Sequence, residues 1–577
     1  MGRSRQASLA PQRPQDVPTR RWTVLAQDPG VLDKQGRALT TTVEVPAERL
    51  ERGPKGHRIH VVDYDASTDY FYSARTEALD TDIYANVKDI TRLIRDPHFH
   101  QQNVYALTMS TLYEFERALG RPVDWGLSAP SHQLKVAPHA FQDANAYYSR
   151  ESESLNFGYF PDDDGNLVYT CLSHDIVVHE TAHAILDGLR CFYLNPSSSD
   201  QAGFHEGFAD VVALLSVFKH HEIIEYALKP LVDDAGRVPA RNLAIKPLAS
   251  TALMRLAEEM GSALEGVRGT ALRHSVDIKP DRRHYKSARY AEEHDRGELL
   301  VAIVFRSFLQ IWIKRLQPLL VHKKSSLACS VVAEEGGTAA KQLLNVMIRA
   351  LDYLPPVDMT YRDYLSALLT ADYELYPDQG KYDYRGELRA EFAAFGILPA
   401  SGKNANGYWE PPPKGAHSLT GMHFERLQRD PSTMFRFIWE NRDMLGIFPD
   451  AFTRVISVRP VMRVSCDGAV LRETVAEYVQ TLSVYSAELH SLGIEKPKGM
   501  HRSRLVKLYG GGTLIFSEYG QLKYHIGTGV VSRHQSERLQ SLWDSGYFEA
   551  SASPAARIAQ MHNHRSLKPL REPRVEW

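Results

Sequence analysis

The segment His179-Glu180-Thr181-Ala182-His183 carries the residue types and spacing most able to do chemistry. On a helix, residues i and i+4 lie one above the other on the same face. His179 and His183 can therefore offer two ring nitrogens to one metal ion. Glu180 lies to the side of that pair, where it can hold a water bound to the same ion. Two neutral nitrogens and a carboxylate base suit a zinc site that hydrolyses amides. By chance the pentapeptide arises in roughly one chain in twenty of this length and composition, so its surroundings decide its meaning.

Ile176, Val177, Ala184, Ile185 and Leu189 give the segment an apolar face, which predicts a packed helix rather than an exposed polar stripe. A second segment follows, His205-Glu206-Gly207-Phe208-Ala209-Asp210, and leads into the apolar run Val211 to Leu215. Glu206 can be a third ligand, leaving a fourth position for water. Asp210 lies one turn beyond it on the same face, where it can accept the other ring N–H of a ligand histidine and fix its tautomer.

Over residues 100 to 400 the chain resembles the thermolysin-like metallopeptidases, the gluzincin branch of the H-E-x-x-H enzymes. In that family a glutamate on the next helix completes the zinc site and an aspartate four residues later supports the first histidine; Glu206 and Asp210 match those positions. A metzincin needs a third histidine six residues after the second, and Leu189 stands there. No G-x-M-E-N segment of the zinc aminopeptidases is seen, which favours internal cleavage. Asn145-Ala146-Tyr147-Tyr148 is similar to the family's N-A-[FY]-[WY] edge strand, in which the Asn side chain and the Ala carbonyl hold the substrate backbone as an added strand. On residue type alone Asn145 reads equally as a turn residue. Leu155 to Phe160 matches the strand that follows. Ala271-Leu272-Arg273, with Asp277, looks like the family's A-L-R-S-M-x-D run, whose arginine donates to a substrate carbonyl. Leu272 and Ile176 would line the pocket after the cleaved bond and favour a bulky apolar residue there. His284-Tyr285 and Arg289-Tyr290 match an H-Y-x-x-x-R-Y run. His294-Asp295-Arg296-Gly297 precedes an apolar helix, Leu299 to Ile313, as the family's oxyanion-binding histidine does. Tyr193 matches a second oxyanion contact after a one-residue gap.

The chain also departs from the family. The loop before His294 is shorter, and the aspartate that orients the family's histidine has no match; Glu292 and Glu293 are the candidates. Asp175 matches one calcium ligand, but Val217 stands where another is expected, which leaves calcium dependence in doubt. The resemblance implies a zinc endopeptidase acting on a peptide or protein through a metal-activated water, with Glu180 as general base and His294 and Tyr193 as oxyanion donors. Two other readings remain open: an inactive thermolysin-like scaffold or binding protein, and a zinc hydrolase of a non-peptide amide.

The elements that must position these residues imply an α+β chain. The resemblance makes it a two-lobed peptidase with a β-rich N-terminal lobe, a helical lobe and zinc between them; a small C-terminal α+β domain follows. Residues 1–40 read as a disordered tail, 41–185 as the β-rich lobe ending in the metal helix, 186–400 as the helical lobe, 401–417 as a Pro/Gly-rich linker and 418–577 as an accessory domain. Thr42 to Val45 and Arg58 to Val61 alternate like strands, and 104 to 120 reads as a helix ending at Gly120. In the last domain Arg459 to Val464 reads as a strand, Asp467-Gly468 as a turn into an amphipathic helix through Leu482, Thr513 to Phe516 and Leu522 to Ile526 as a hairpin, and Gln535 to Trp543 as a helix. Its histidines (His501, His525, His534, His562, His564) show no ligand spacing and are expected in solvent. A protein partner for this domain is suggested by position alone.

At 577 residues several domains are expected. A formal net charge of −2 gives no reason to invoke nucleic acid or an anionic membrane. Residues 1 to 21 carry five arginines and no apolar h-region, and no apolar run is long enough to span a membrane. Cys171, Cys191, Cys329 and Cys466 form no C-x-x-C pair, and packing is their expected role. Together these point to a cytoplasmic protein.

Overall fold

The computed structural model describes residues 18–548, apart from 31, 33–35, 38, 77–79, 128–131, 163, 196, 250–274, 276–277, 321–324, 378–381, 402–404, 414–418, 420–421 and 465–469. The chain is mixed α+β. It opens with an antiparallel pair, Thr19–Leu25 with Thr40–Pro46. The second strand alternates buried and exposed residues as its period-two pattern requires. The first lies inside the stretch expected to be a tail. It is ordered there because Trp22, Val24 and Leu25 bury against the rest of the core, and because the Leu25 N–H donates to Asn103 Oδ1 at 3.0 Å.

Asn103 belongs to a long buried helix, Pro97–Leu119. The helix starts earlier than the apolar periodicity suggested because Asp96 caps it, accepting from the His98 N–H, with Pro97 in the first turn. It stops at Gly120, whose φ of 71° is the left-handed conformation that closes a helix. Beside it lies a five-stranded sheet in the order Ile59–Val61, Leu134–Gln142, Ser154–Pro161, Ala146–Ser149, with Leu167–Tyr169 also pairing with Ser154–Pro161. Among the described residues Ala146–Ser149 pairs with one strand only, which makes it an edge. Its neighbour Ser154–Pro161 runs antiparallel to it, with Tyr148 opposite Leu155.

A short 3-10 turn, Thr170–Leu172, leads through Ser173 into the helix His174–Leu189, which carries the H-E-x-x-H segment. The next long helix, Ser199–Phe218, carries Glu206. A third, Glu293–Leu316, crosses it closely, and Cys329–Ala350 and Tyr361–Leu375 pack around the three. Among the described residues from 199 to 394 helices therefore dominate, as the apolar spacing of that region implied. Among the described residues no helix is long and apolar enough to cross a membrane.

The C-terminal part is a four-stranded antiparallel meander: Phe452–Val464, Val470–Tyr485, Leu505–Ser517 and Leu522–Thr528. The expected strand at 459–464, hairpin at 513–526 and helix at 535–543 are present, the last as His534–Asp544. The helix expected through Leu482 is instead the strand Val470–Tyr485. Its pattern misleads because both faces are buried. Val475, with Ile515, Tyr524 and Ile526, joins the main core, whereas Ala476, Tyr478, Leu514 and Phe516 pack on the helix Pro431–Glu440. A strand covered on both sides reads as a near-continuous apolar run and loses its alternation. His525 is likewise not free in solvent: it is half-buried, 2.9 Å from the Tyr478 hydroxyl, and desolvation pushes its pKa down to about 4.

This sheet is tied to the rest of the chain by buried charge. Asp352 receives Arg121 at 2.6 and 2.8 Å and also pairs with Arg463, which in turn reaches Glu473 at 2.7 Å. The described part of the expected linker is also bound down: the Trp409 backbone N–H donates to Thr370 Oγ1 and its ring N–H to the Tyr353 carbonyl, both at 2.9 Å.

Candidate metal centre and active site

The helix His174–Leu189 is buried all round, so every polar side chain on it needs a partner. Those partners build the site. Thr181 returns its hydroxyl to the Val177 carbonyl at 2.7 Å. His179 donates from Nδ1 to Asp210 Oδ1 at 2.7 Å; a carboxylate only accepts, so the lone pair of this ring is on Nε2. His183 Nδ1 lies 2.7 Å from His205 Nδ1. Burial pushes His205 down to about 4, so it is neutral near pH 7 and can accept the proton on His183 Nδ1. Both Nε2 atoms then converge on one carboxylate: His179 Nε2 is 3.8 Å from Glu206 Oε2, and His183 Nε2 is 3.6 Å from Glu206 Oε1. Two donors on one tetrahedral ion stand about 3.4 Å apart. His179, His183 and Glu206 could thus hold a metal ion, each offering one atom within 4.8 Å of the others.

Glu180, next to His179 on this helix, also reaches the edge strand. Its Oε2 accepts the Tyr148 backbone N–H at 2.9 Å. The Tyr148 hydroxyl reaches along the same helix, donating to Asp187 Oδ2 at 2.9 Å, where Arg150 Nε also donates at 2.8 Å. One strand is therefore fastened to the metal helix at Glu180 and again two turns later. Along a strand, residues i and i+2 send their backbone groups to the same side. Ala146 consequently directs its carbonyl to the side on which Tyr148 meets Glu180. Asn145, just before the strand, is buried; its Oδ1 accepts the Ala146 N–H at 2.8 Å and its carbonyl accepts the Gly158 N–H at 2.9 Å.

His294 lies in the first turn of Glu293–Leu316. Glu292 caps that helix through the His294 and Asp295 N–H groups and also accepts from His294 Nδ1 at 2.7 Å. Burial alone would raise the Glu292 carboxyl, but its bonds with His294 outweigh that and hold it below the usual carboxylate range. Of the two acidic candidates, Glu292 is bonded to the histidine ring. Three residues on, Gly297 sits against Glu206: a Cβ built there would be 3.2 Å from Glu206 Cβ. His294 and Gly297 share a helix face, so the start of this helix stands beside the third ligand. Arg296 fixes the crossing, donating to Asp200 Oδ1 at 2.6 Å across the start of the Glu206 helix.

Tyr193 requires a correction. Its ring is buried, and its hydroxyl donates to the Pro355 carbonyl at 2.7 Å. The proton expected for an oxyanion is committed to the core. Arg273, Leu272 and Asp277 lie outside the described residues. Ile176 is buried on the metal helix. Asp175 accepts from the Ser173 hydroxyl and, among the described residues, joins no group of three potential ligands. Three residues with a part in the site were not singled out from the sequence: His205, Tyr148 through its backbone, and Asp187. His205 had a signal, since it adjoins Glu206, but a single buried histidine has no distinguishing pattern. No family model matches the chain, and no curated protein matches its sequence.

Proposed function

We propose that this chain is a zinc-dependent endopeptidase with the two-lobed, thermolysin-like arrangement, the sheet on one side of the metal helix and the helical region on the other. The observation that carries the reading is the joint placement of two groups: His179, His183 and Glu206 converging on one point, and Glu180 beside them touching an edge strand. His179, His183 and Glu206 would hold the ion, with Asp210 and His205 fixing the two histidine tautomers. Bound there, zinc supplies Lewis-acid polarisation of a carbonyl and makes water more acidic.

The chain's own groups do the rest. Asn145 and Ala146 align a peptide as an added strand. Glu180, its aim set by the Tyr148 N–H, takes the proton from the attacking water and passes it to the leaving amine. His294, with Glu292 on Nδ1, donates from Nε2 to the oxygen on which charge develops. An extended edge strand beside the base favours a peptide over a compact amide substrate.

The test is a peptide-library digest with and without chelator, repeated with Glu180→Gln. The amide can still accept the Tyr148 N–H but cannot take a proton, so metal and fold should persist while hydrolysis is lost. Wild-type protein that holds zinc and cleaves nothing would point to a binding scaffold instead.

A further inference from the structure

A second histidine pair lies in the core, on elements that the reading above does not use. His100 is in the first turn of Pro97–Leu119, His139 is on the strand Leu134–Gln142, and Cys171 is in the 3-10 turn just before the metal helix. All three are essentially inaccessible to solvent. Cys171 is one of the cysteines expected to serve packing. The structure places its Sγ and a ring nitrogen of each histidine within 4.8 Å of one another.

The hydrogen bonds around the two rings fix their protons. His100 Nε2 is 2.9 Å from the Ile94 carbonyl, which can only accept, so Nε2 carries the hydrogen. His139 Nδ1 is 2.8 Å from Asp63 Oδ1, and the other Asp63 oxygen accepts from Gln101 at 2.9 Å. As a carboxylate, Asp63 requires the hydrogen of His139 on Nδ1. The remaining nitrogens, His100 Nδ1 and His139 Nε2, face each other at 2.7 Å. In neutral rings both carry lone pairs, so something positive must sit between them. A proton there would leave a buried imidazolium; a metal ion would use the thiol as well. The pattern of a carbonyl and a carboxylate on the outward N–H groups is the one that orients metal-binding histidines.

We infer that His100 Nδ1, His139 Nε2 and the Cys171 thiolate form a second site for a borderline or soft d-block cation such as zinc. Imidazole and thiolate are the donors that zinc and its softer d-block neighbours take. The charges close: a divalent ion is balanced by the Cys171 thiolate and the Asp63 carboxylate, which a buried site requires. The Cys171 proton leaves to solvent as the metal binds. Two nitrogens on one ion stand about 3.3 Å apart, so the rings open slightly on loading. Tyr72 and Tyr169 pack against the histidine rings and close the site to substrate, with centroids 4.4 Å from His139 and 4.7 Å from His100. The ion would staple helix, strand and turn together at the point where the chain enters the metal helix. This inference is independent of the peptidase reading.

Elemental analysis of the purified full chain should find about two zinc ions rather than one. The cobalt-substituted wild-type protein should show a thiolate-to-cobalt charge-transfer band in the near ultraviolet. Cys171→Ser should remove that band and one metal ion. His183→Ala should remove the other ion and keep the band, which separates failure of this site from failure of the catalytic one. A single ion per wild-type chain with no thiolate band would overturn the proposal and leave a proton between the rings. A band that survives Cys171→Ser would overturn it too. The wild-type spectrum decides the matter even where a variant does not fold.

Discussion

Gly207 and Gly297 meet backbone to backbone where the Glu206 helix crosses the His294 helix. A Cβ built on Gly207 would lie 2.7 Å from the Gly297 carbonyl oxygen, and one built on Gly297 would lie 3.1 Å from the Gly207 nitrogen. Neither contact is with a flexible side chain, so the helices can admit a methyl only by separating. Glu206 and His294, the proposed third ligand and oxyanion donor, are spaced by this crossing.

Gly207→Ala should therefore lower stability by about 1–3 kcal/mol through overpacking and weaken metal binding as Glu206 shifts. Gly297→Ala, with its looser contacts, should do less. Thermal melts and chelator competition on the two variants check the order; wild-type behaviour of Gly207→Ala would show that the crossing yields freely.

Asp210→Ala removes the acceptor that holds His179 and should cost about 10- to 100-fold in zinc affinity. His205→Ala should act similarly on His183, whereas His205→Asn, which restores an acceptor oxygen, should recover part of the loss. Competition with a zinc chelator measures all three. Equal affinities across the set would mean that the histidines are oriented by packing alone.

His294→Ala should lower turnover by roughly 10²–10³ with little change in zinc content. Glu292→Gln should give a smaller loss in kcat than in His294→Ala, with KM nearly unchanged, because the amide still caps the helix but no longer carries charge beside the ring. A KM effect without a kcat effect would place His294 in substrate binding instead.

Asp352 links acid stability to the C-terminal sheet. Burial alone would raise its carboxyl, but Arg121 and Arg463 outweigh that and hold it well below the usual carboxylate range. A carboxyl lowered in the folded state contributes stability that is complete above its unfolded pKa, near 3.8, and is lost as pH falls through the lower folded value. Asp352→Asn should cost about 3–5 kcal/mol at neutral pH by leaving two arginines short of a partner. It should also flatten the acid limb of a plot of stability against pH. Chemical denaturation at a series of pH values reads both effects.

The parts of the site legible in the sequence are those whose geometry is local. His179 and His183 are four residues apart on one helix, and so are Glu206 and Asp210, so spacing alone put each pair on one face. The Asn145 to Tyr148 segment was legible by resemblance, but its contact with Glu180 was not, since that runs through a backbone N–H that any residue possesses. Tyr193 failed because its true partner, the Pro355 carbonyl, is 162 residues away. Val470–Tyr485 failed because burial on both faces erased its alternation. His100, His139 and Cys171 come from three separate elements and leave no spacing to find.

Arg190, at the end of the metal helix, is buried and paired with Glu477, which lies 287 residues later in the chain, on the C-terminal sheet. A ribosome makes the metal helix long before it makes that sheet. Until then the arginine lacks Glu477, and the surface that Val475 and Ile515 cover lies bare. The end of this helix thus packs against a part of the chain that is made nearly last. A chain cut short before Glu477 would leave the arginine at the end of this helix without that carboxylate.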